Sequence, residues 1–385
     1  MRAAGPGYPE AMTTERPRPD TGAPRFIARR IAQWGSRGRQ GPVTLEMYPT
    51  LSCNLDCSFC DTTDRHRPPV DELSTERWLT LLDEAAALGV ERVFVLGGGE
   101  PLARRDCADL LHRITDLNLE GILTTNGTLL TLPLARQLVE TGWSEVHVSL
   151  DGPDARTHDA LRGRTGAFRQ TVRNTCRLGV LARQAGAPLK VAIHFVITRT
   201  NWTTLPDMVR LAASLGAFRI DFDALIAYTP DQRALALSPD QRTRLPEVAR
   251  QALEVARALG VATTLEHFTD TARPERGRTV VEGTAGPGVA GAPCLKAWHY
   301  LVVQADGRTS PCCVLAGSGG SVRDTPLAEL WARDPFLTSI RSGMWHKRPH
   351  TRCQECSPNI LGHEAAIRSA LPSAVPRIDE PSAWT

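Results

Sequence analysis

The segment Glu145-Val-His-Val-Ser-Leu-Asp-Gly152 shows the alternation of side chains that decides the fold. Successive side chains of an extended strand point to opposite faces, so His147, Ser149 and Asp151 share one face, while valine and leucine occupy the other. A strand of this kind packs helices against its apolar face. Its polar face is left for a ligand or for solvent.

The same alternation returns in segments 190–197 and 218–225, whose polar faces carry His194, Asp221 and Asp223. Such runs alternate with helical segments along the chain, which is the pattern of a parallel sheet with crossover helices. We therefore predict an α/β fold, a partial (β/α)6 TIM barrel with a polar interior, and the alternative is an open sheet with one solvated face. The six predicted strands are Val43–Met47, Arg92–Leu96, Gly121–Thr125, Glu145–Leu150, Lys190–Ile197 and Phe218–Leu225.

Composition limits the partners that this chain is expected to have. The chain has 385 residues, 42% of them hydrophobic and 23% charged, which is typical of a folded globular protein. Its formal net charge is only +3, so no strong positive field indicates nucleic acid as a partner. No apolar run approaches the length of a membrane-spanning helix. We expect a cytoplasmic protein that binds neither nucleic acid nor membrane.

The chain is expected to have two folded parts. Residues 1–40 are predicted to be a flexible leader, and residues 41–262 the barrel. Residues 263–292, rich in Gly, Thr, Pro and Ala, are predicted to be a linker. A cysteine-bearing domain is predicted over 293–358, followed by a loose tail over 359–385.

Three cysteines follow the first predicted strand at C-x3-C-x2-C spacing, in Cys53-Asn-Leu-Asp-Cys57-Ser-Phe-Cys60. Thiols stay reduced in the cytosol, so this spacing indicates metal binding before disulfides. Three thiolates hold three irons of a four-iron cluster and leave the fourth open to an outside ligand. A structural zinc site is the alternative, and it requires a fourth ligand.

This triplet, with Phe59 before its last cysteine, resembles the signature of the radical S-adenosylmethionine (SAM) superfamily. The resemblance implies a catalytic four-iron cluster on Cys53, Cys57 and Cys60, whose open iron binds SAM. It also implies that the reduced cluster cleaves SAM to a 5′-deoxyadenosyl radical, with electrons from an external donor of the flavodoxin or ferredoxin type.

Further motifs of the resemblance fall at the ends of successive predicted strands, where barrel enzymes build their active sites. Each motif is weak alone, because glycine-rich and Asn-Gly turns often only end strands. Asn201 is equally well explained as a helix cap. The cofactor-binding residues that the resemblance implies are Phe59, Gly98, Gly99, Glu100, Pro101, Asn126, Ser149, Asp151 and Asn201, with Glu100 receiving the ammonium group of SAM.

The C-terminal domain contains a second set of cysteines, Cys294, Cys312, Cys353 and Cys356. Their arrangement resembles the SPASM and twitch domains, and the short twitch form implies one auxiliary four-iron cluster. Zinc bound by the same four thiolates is the alternative. Cys313 neighbours an expected ligand, and whether it binds metal stays open.

His194 and Asp223 are predicted to be catalytic because they lie on the polar strand face. A buried structural histidine and an internal salt bridge are the respective alternatives. The twitch pattern resembles that of dehydrogenases acting on aminocyclitols. We therefore expect oxidation of a secondary alcohol in a small, polar, hydroxylated substrate, such as an aminocyclitol, aminosugar or nucleoside of natural-product biosynthesis.

Three alternatives to this activity stay open. Many relatives with SPASM or twitch domains modify ribosomally made peptides, so a peptide maturase is the second possibility. A redox-neutral sugar epimerase, decarboxylase or deoxygenase is the third. A non-catalytic zinc protein is a possibility from a different class, and the unfilled fourth ligand of the first cysteine triplet argues against it.

Overall fold

The computed structural model describes residues 23–34, 41–60, 71–227, 229–269, 294–346, 348–356 and 358–371. Within these ranges nine strands form one sheet, in the order β7-β6-β5-β4-β3-β2-β1-β8-β9. The strands are β1 Thr44–Met47, β2 Arg92–Val95, β3 Glu120–Thr125, β4 Glu145–Ser149, β5 Lys190–Ile197, β6 Arg219–Ala224, β7 Ala262–Thr263, β8 Tyr300–Val303 and β9 Thr309–Ser310.

Helices connect the strands of the first part and make up most of the second. They are α1 Pro24–Ala32, α2 Thr75–Ala87, α3 Cys107–Asp116, α4 Leu132–Glu140, α5 Ala155–Arg162, α6 Ala167–Ala185, α7 Leu205–Ser214, α8 Pro230–Arg233, α9 Pro239–Leu259, α10 Lys296–His299, α11 Leu327–Arg333, α12 Pro335–Trp345 and α13 Pro358–Ala370. None of the helices in the described ranges is long and apolar enough to cross a membrane.

The predicted fold class is confirmed. Strands β1 to β6 are all parallel and lie in sequence order, each paired with the next. Their observed ends agree with the predicted ones to within one residue. The sheet runs from an edge at β7 to an edge at β9, so it is open, as a partial barrel requires.

The apolar strand face is the core of the protein. Val146 and Val148 of β4 are fully buried, as are Ile193 and Phe195 of β5. The helices α2, α3, α4, α6, α7 and α9 cover this face with their own apolar sides, for example Trp78 of α2. The polar face is therefore left on the inner side of the sheet, where the motif residues collect.

The second domain is joined to the first through the sheet itself. Strand β8 pairs in parallel with β1, with Thr44 opposite Tyr300 and Met47 opposite Val303. An open barrel leaves unpaired N–H and C=O groups on the free edge of β1, and β8 satisfies them. Strand β8 continues into β9, with which it pairs antiparallel.

Two predicted loose segments contain helices. Residues 24–32 form α1, which buries Ile27 and Ile31, so the prediction of a flexible leader is wrong for these residues. Residues 358–370 form α13, which packs against α1, so the predicted loose tail is wrong there. Each helix has an apolar side that the other covers. Most of the predicted linker, residues 270–292, lies outside the described residues.

Candidate active site and auxiliary cysteine site

The motif residues meet at one edge of the sheet. Residues 53–60, the cysteine loop, follow β1, and the glycine-rich turn 97–99 follows β2. Asn126 follows β3, and Asp151 follows β4. The carboxyl ends of parallel strands lie on the same edge of a sheet. The structure therefore brings these residues together, as the sequence predicts.

The C-terminal end of α5 holds the cysteine loop in place. The backbone N–H of Asp56 donates to the carbonyl oxygen of Arg162 at 3.2 Å, and that of Ser58 donates to Leu161 at 2.9 Å. The last carbonyls of a helix have no partner within the helix, so the loop supplies the donors that α5 lacks. Gly163 follows with a φ of 65°, and a Cβ there would lie 2.0 Å from the carbonyl oxygen of Asp56. Glycine is needed for this close approach.

An amide network ties the loop to the end of β3. The Nδ2 of Asn126 donates to the Oδ1 of Asn54 at 2.9 Å, and the Nδ2 of Asn54 donates to the Oγ1 of Thr128 at 2.8 Å. The Oδ1 of Asn126 accepts from the N–H and the hydroxyl of Thr128. Asn126, predicted to bind the cofactor, therefore uses its side chain to position the cysteine loop. The sequence analysis missed Asn54 and Thr128, since neither has a diagnostic spacing.

The three thiols of the loop are partly exposed. Burial raises the pKa of Cys57 to about 11, while the nearby Arg162 guanidinium acts in the opposite direction. Burial also raises the pKa of Cys53. Ionised thiolates in such a place need neighbouring positive charge, and iron supplies it. Three thiols on one clamped loop with a side open to solvent fit a four-iron cluster that has one free coordination position.

Arg162 is a further residue of this site that the sequence analysis missed. Its Nη1 donates to the Sγ of Cys57 at 3.7 Å, and its guanidinium carbon lies 5.2 Å from the ring centre of Phe59. Its Nη2 forms an ion pair with Asp151. Phe59, predicted to contact the cofactor, thus stacks under a buried arginine.

Glu100 is 3% exposed, and its carboxylate is already bound within the protein. It accepts from the hydroxyl of Thr125 at 2.6 Å, from the N–H of Asn126 at 2.7 Å and from the N–H of Leu102 at 3.2 Å. A carboxylate has about four acceptor positions, so about one remains for an ammonium group. Burial raises the pKa of Glu100 in spite of these donors. The role of ammonium ligand stays a prediction, and the structure adds the role of joining β2 to β3.

The glycine-rich turn before Glu100 lies against the cysteine loop. A Cβ on Gly99 would lie 2.1 Å from the carbonyl oxygen of Ser52, and Gly98 has a φ of 78° that favours glycine. A Cβ on Gly97 would meet nothing within 4 Å. The turn therefore has one crowded side toward the cysteines and one open side, where a cofactor has room beside backbone groups. Pro101 is buried at the start of a short 3-10 helix.

Three other predicted cofactor ligands differ in accessibility. Asp151 is fully buried, with its Oδ1 accepting from the N–H of Val196 at 2.7 Å, so its carboxylate faces the protein and not a ligand. Asn201 is also fully buried, and its Nδ2 donates to the carbonyl oxygens of Asp151 and Val196. Asp151 and Asn201 therefore link the chain after β4 to the end of β5 through hydrogen bonds. Only Ser149 of this set is half-buried.

The polar faces of β4 to β6 form a continuous wall, hereafter the histidine wall. The Nε2 of His194 lies 3.0 Å from the Nδ1 of His147, whose own Nε2 lies 2.8 Å from Glu145. His194 also lies 3.7 Å from Asp221 and 3.9 Å from Asp223. The two imidazole rings stack, with centres 4.8 Å apart. His194 and Asp223, both predicted to be catalytic, thus lie next to each other. Glu145 and His147, which were not predicted to be site residues, continue the wall behind His194.

Exposure divides this wall into a buried and an accessible part. The side chain of His147 is 7% exposed, and burial lowers its pKa. The side chains of His194 and Asp223 are 31% and 41% exposed. Arg219 pairs with Asp221 at 2.8 Å. The end of the wall at His194 and Asp223 is therefore accessible to a bound molecule, while the buried end holds it in place.

The second cysteine set lines one apolar pocket. Burial raises the pKa of Cys356 to about 12 and that of Cys294 well above its usual range. Lys296 is the cationic residue of the lining, and Cys313 is exposed outside it. The four cysteines predicted to bind the auxiliary cluster, Cys294, Cys312, Cys353 and Cys356, all line this pocket together with Ala297, Val314, Leu315, Ile340 and Met344. Four thiols around one apolar pocket fit an iron–sulfur cluster whose four irons all have a protein ligand.

One buried carboxylate next to this pocket was not expected. Glu364 of α13 accepts from the N–H of Leu295 at 2.8 Å and lies 3.1 Å from the Nε2 of His299. Its Oε2 is 3.8 Å from the Sγ of Cys294. In the described part of the chain, no group of three or more His, Cys, Asp and Glu side chains has the geometry of a site for a single metal ion.

A clamped loop of three thiols on the carboxyl edge of an open parallel barrel, with a second set of four cysteines, defines an iron–sulfur enzyme of the radical SAM class. Sequence profiles agree: the Radical SAM superfamily matches residues 47–212, and the SPASM iron-sulfur cluster-binding domain matches residues 294–357. The chain belongs to the radical SAM superfamily, in its SPASM/twitch subgroup. Its cofactors are four-iron clusters and SAM.

Curated relatives and solved structures extend this result. The AdoMet-dependent heme synthase of Nitratidesulfovibrio vulgaris is 30% identical over 301 residues, covering 76% of this chain and 79% of the relative. The PqqA peptide cyclase of Gluconobacter oxydans is 28% identical over 326 residues, covering 81% of this chain and 83% of the relative. The crystal structure of Streptococcus suis SuiB bound to S-adenosylmethionine aligns with a TM-score of 0.60 at 20% identity, over 82% of this chain and 69% of that chain. The last comparison establishes the fold alone.

Proposed function

We propose that this radical SAM enzyme modifies a peptide, by abstracting a hydrogen atom from carbon in a segment bound against the histidine wall. The observation that carries the proposal is this wall, with partly exposed His194 and Asp223 on the inner face of the barrel. Similarity to peptide cyclases, which extends over 81% of this chain for the relative from Gluconobacter oxydans, supports a peptide as the substrate class.

The residues of the proposed site divide into two groups. Cys53, Cys57 and Cys60 hold the catalytic cluster, and the backbone of the turn at Gly98 and Gly99 faces SAM. Cys294, Cys312, Cys353 and Cys356 hold the auxiliary cluster. When bound, these cofactors supply hydrogen-atom abstraction from an unactivated C–H bond and one-electron transfer.

His194 is the proposed proton acceptor of the reaction. His147 lies 3.0 Å behind it, and Glu145 lies 2.8 Å behind His147, so the ring of His194 is held in one position. Asp221 and Asp223 lie within 4 Å of the same ring. A general base must lie within reach of the proton that it takes, and the partly exposed position of His194 allows this.

A heme-type tetrapyrrole is a second candidate substrate, since the heme synthase relative is 30% identical over 76% of this chain. Tetrapyrroles of this type carry carboxylates, which an acidic wall repels. The positive side chain of β6 on this face, Arg219, is paired with Asp221. The charge of the wall therefore favours a neutral or basic substrate. Oxidation of an aminocyclitol has less support, because neither curated relative named above is an aminocyclitol dehydrogenase.

The substrate class is tested by following deuterium into 5′-deoxyadenosine. The reconstituted enzyme, SAM and a flavodoxin reducing system are incubated with three deuterated probes: peptides encoded beside its gene, a carboxylate-bearing heme precursor, and an aminocyclitol. We expect deuterium in 5′-deoxyadenosine from a peptide only, and none with Cys53, Cys57 and Cys60 all replaced by alanine. Transfer from the tetrapyrrole or the aminocyclitol, with none from any peptide, would overturn the proposal.

A further inference from the structure

Arg162 at the end of α5 has three contacts that converge on the cysteine loop. It donates to the Sγ of Cys57 at 3.7 Å, its guanidinium stacks on Phe59 at 5.2 Å, and it pairs with Asp151. It is 8% exposed, and Asp151 is fully buried. A buried ion pair loses its hydration, so this pair persists only where surrounding contacts compensate.

The position of Arg162 is fixed from several sides. Its own carbonyl oxygen accepts from the N–H of Asp56 in the cysteine loop. Asp151 is held by the N–H of Val196, and its carbonyl oxygen accepts from Asn201. The guanidinium therefore has little freedom to move away from Cys57. A permanent positive charge is kept beside one particular thiol.

From this geometry we propose that Arg162 is a positioning residue of the catalytic cluster, which fixes the Cys57 ligand and makes the cluster easier to reduce. Reduction adds negative charge to a cluster that three thiolates already make anionic, and a cation in direct contact stabilises the reduced form. Arginine serves this purpose because it stays protonated and its planar fork reaches a sulfur and a carboxylate together. The inference concerns the cluster, so it does not depend on the peptide substrate proposed above.

The competing explanation is that Arg162 only neutralises Asp151. Two variants separate these roles. In the Asp151→Asn, Arg162→Gln double variant no buried charge is left alone, and the asparagine oxygen can still accept from Val196. Arg162→Lys keeps a charge but loses the fork and the flat stacking surface. Arg156→Gln, an exposed arginine of the same helix, is the matched control.

Anaerobically reconstituted full-length protein is compared by circular dichroism, iron content and a redox titration followed by electron paramagnetic resonance. We expect the double variant to fold and to keep the auxiliary cluster. At a fixed potential, the ratio of reduced to oxidised catalytic cluster should be at least tenfold lower than in the wild type, which corresponds to about 59 mV for one electron. Failure of this cluster to assemble would also support the proposal. Arg156→Gln should titrate like the wild type.

A folded double variant that keeps the iron content and the titration curve of the wild type would show that Arg162 serves Asp151 alone. If the double variant does not fold, Arg162→Lys decides the question. The proposal then requires that a chelator remove iron from its catalytic site at least tenfold faster than from the wild type. Equal rates and an unchanged titration curve for this variant would equally overturn it.

Discussion

Cys53, Cys57 and Cys60 come from one loop, whereas the auxiliary cysteines come from segments spread over residues 294–356. The cysteine loop is fixed by backbone and side-chain hydrogen bonds from α5 and from the end of β3, and its thiols stay partly exposed. The auxiliary cysteines line an apolar pocket together with Leu315, Ile340 and Met344, and of the four only Cys353 is buried.

This difference separates a site built for reaction from a site built to retain its metal. Hydrogen bonds fix the position of a loop without covering it, so a ligand can still approach from the open side of the glycine-rich turn. The auxiliary set instead supplies four thiols, which leave no iron of a four-iron cluster open to an outside ligand. The first site therefore suits SAM and substrate, and the second suits one-electron transfer or structural support.

Removing the catalytic ligands should have the largest effect. Replacing Cys53, Cys57 and Cys60 together by alanine should lower bound iron from about eight to about four per chain and abolish SAM cleavage, because only the auxiliary set remains. Iron analysis and chromatography of 5′-deoxyadenosine measure both effects. If this variant still formed 5′-deoxyadenosine under strong reductant, the catalytic assignment would be wrong.

Removing one auxiliary ligand should instead uncouple the two sites. Cys356→Ala should leave part of the 5′-deoxyadenosine formation intact while product formation collapses, provided that the auxiliary cluster accepts an electron. A metal-bound domain can unfold with its metal, so circular dichroism and the remaining iron serve as controls. A folded variant that has lost this cluster but forms product at the wild-type rate would assign it a purely structural role.

The contact between the glycine-rich turn and the cysteine loop predicts a smaller effect. In Gly99→Ala the new methyl group would lie 2.1 Å from the carbonyl oxygen of Ser52, so the two segments must move apart. We expect a loss of about 1–3 kcal/mol in the free energy of unfolding, as for other overpacked positions. Gly97→Ala, where nothing lies within 4 Å, is the control. Denaturant titrations that gave equal stability for both variants would contradict this close packing.

The part of the fold that the sequence predicts best is the part with strict periodicity. Alternation located the strands Glu145–Ser149, Lys190–Ile197 and Arg219–Ala224 to within one residue at each end. The position of β8 beside β1 could not be predicted. A short apolar strand has no signal for its partner, and this pairing joins residues more than 250 positions apart.

The site was predictable in its motifs but not in its supporting contacts. The cysteine spacing located the loop, since metal ligands fix sequence intervals. Arg162, Glu364 and the pair of His147 with Glu145 have no spacing rule, because their roles arise only when distant elements pack together. For the same reason Asp151, Asn126 and Glu100 look like ligands in the sequence, whereas their side chains largely hold neighbouring strands and loops in the structure.

The smallest effect concerns Glu100, and it is a change in pH dependence. Burial raises the pKa of Glu100 above its ordinary value of 4.5, so the folded protein binds this proton more tightly than the unfolded chain. The corresponding contribution to stability is fully present below the unfolded pKa and is lost as the pH rises through the folded pKa. Glu100→Gln stays neutral and lacks this dependence. We therefore expect the free energy of unfolding of the wild type, minus that of Glu100→Gln, to fall as the pH is raised from below 4.5. Denaturant titrations across this pH range measure the difference. A difference that is constant or rises with pH would show that the three hydrogen-bond donors to Glu100 affect its pKa more than burial does.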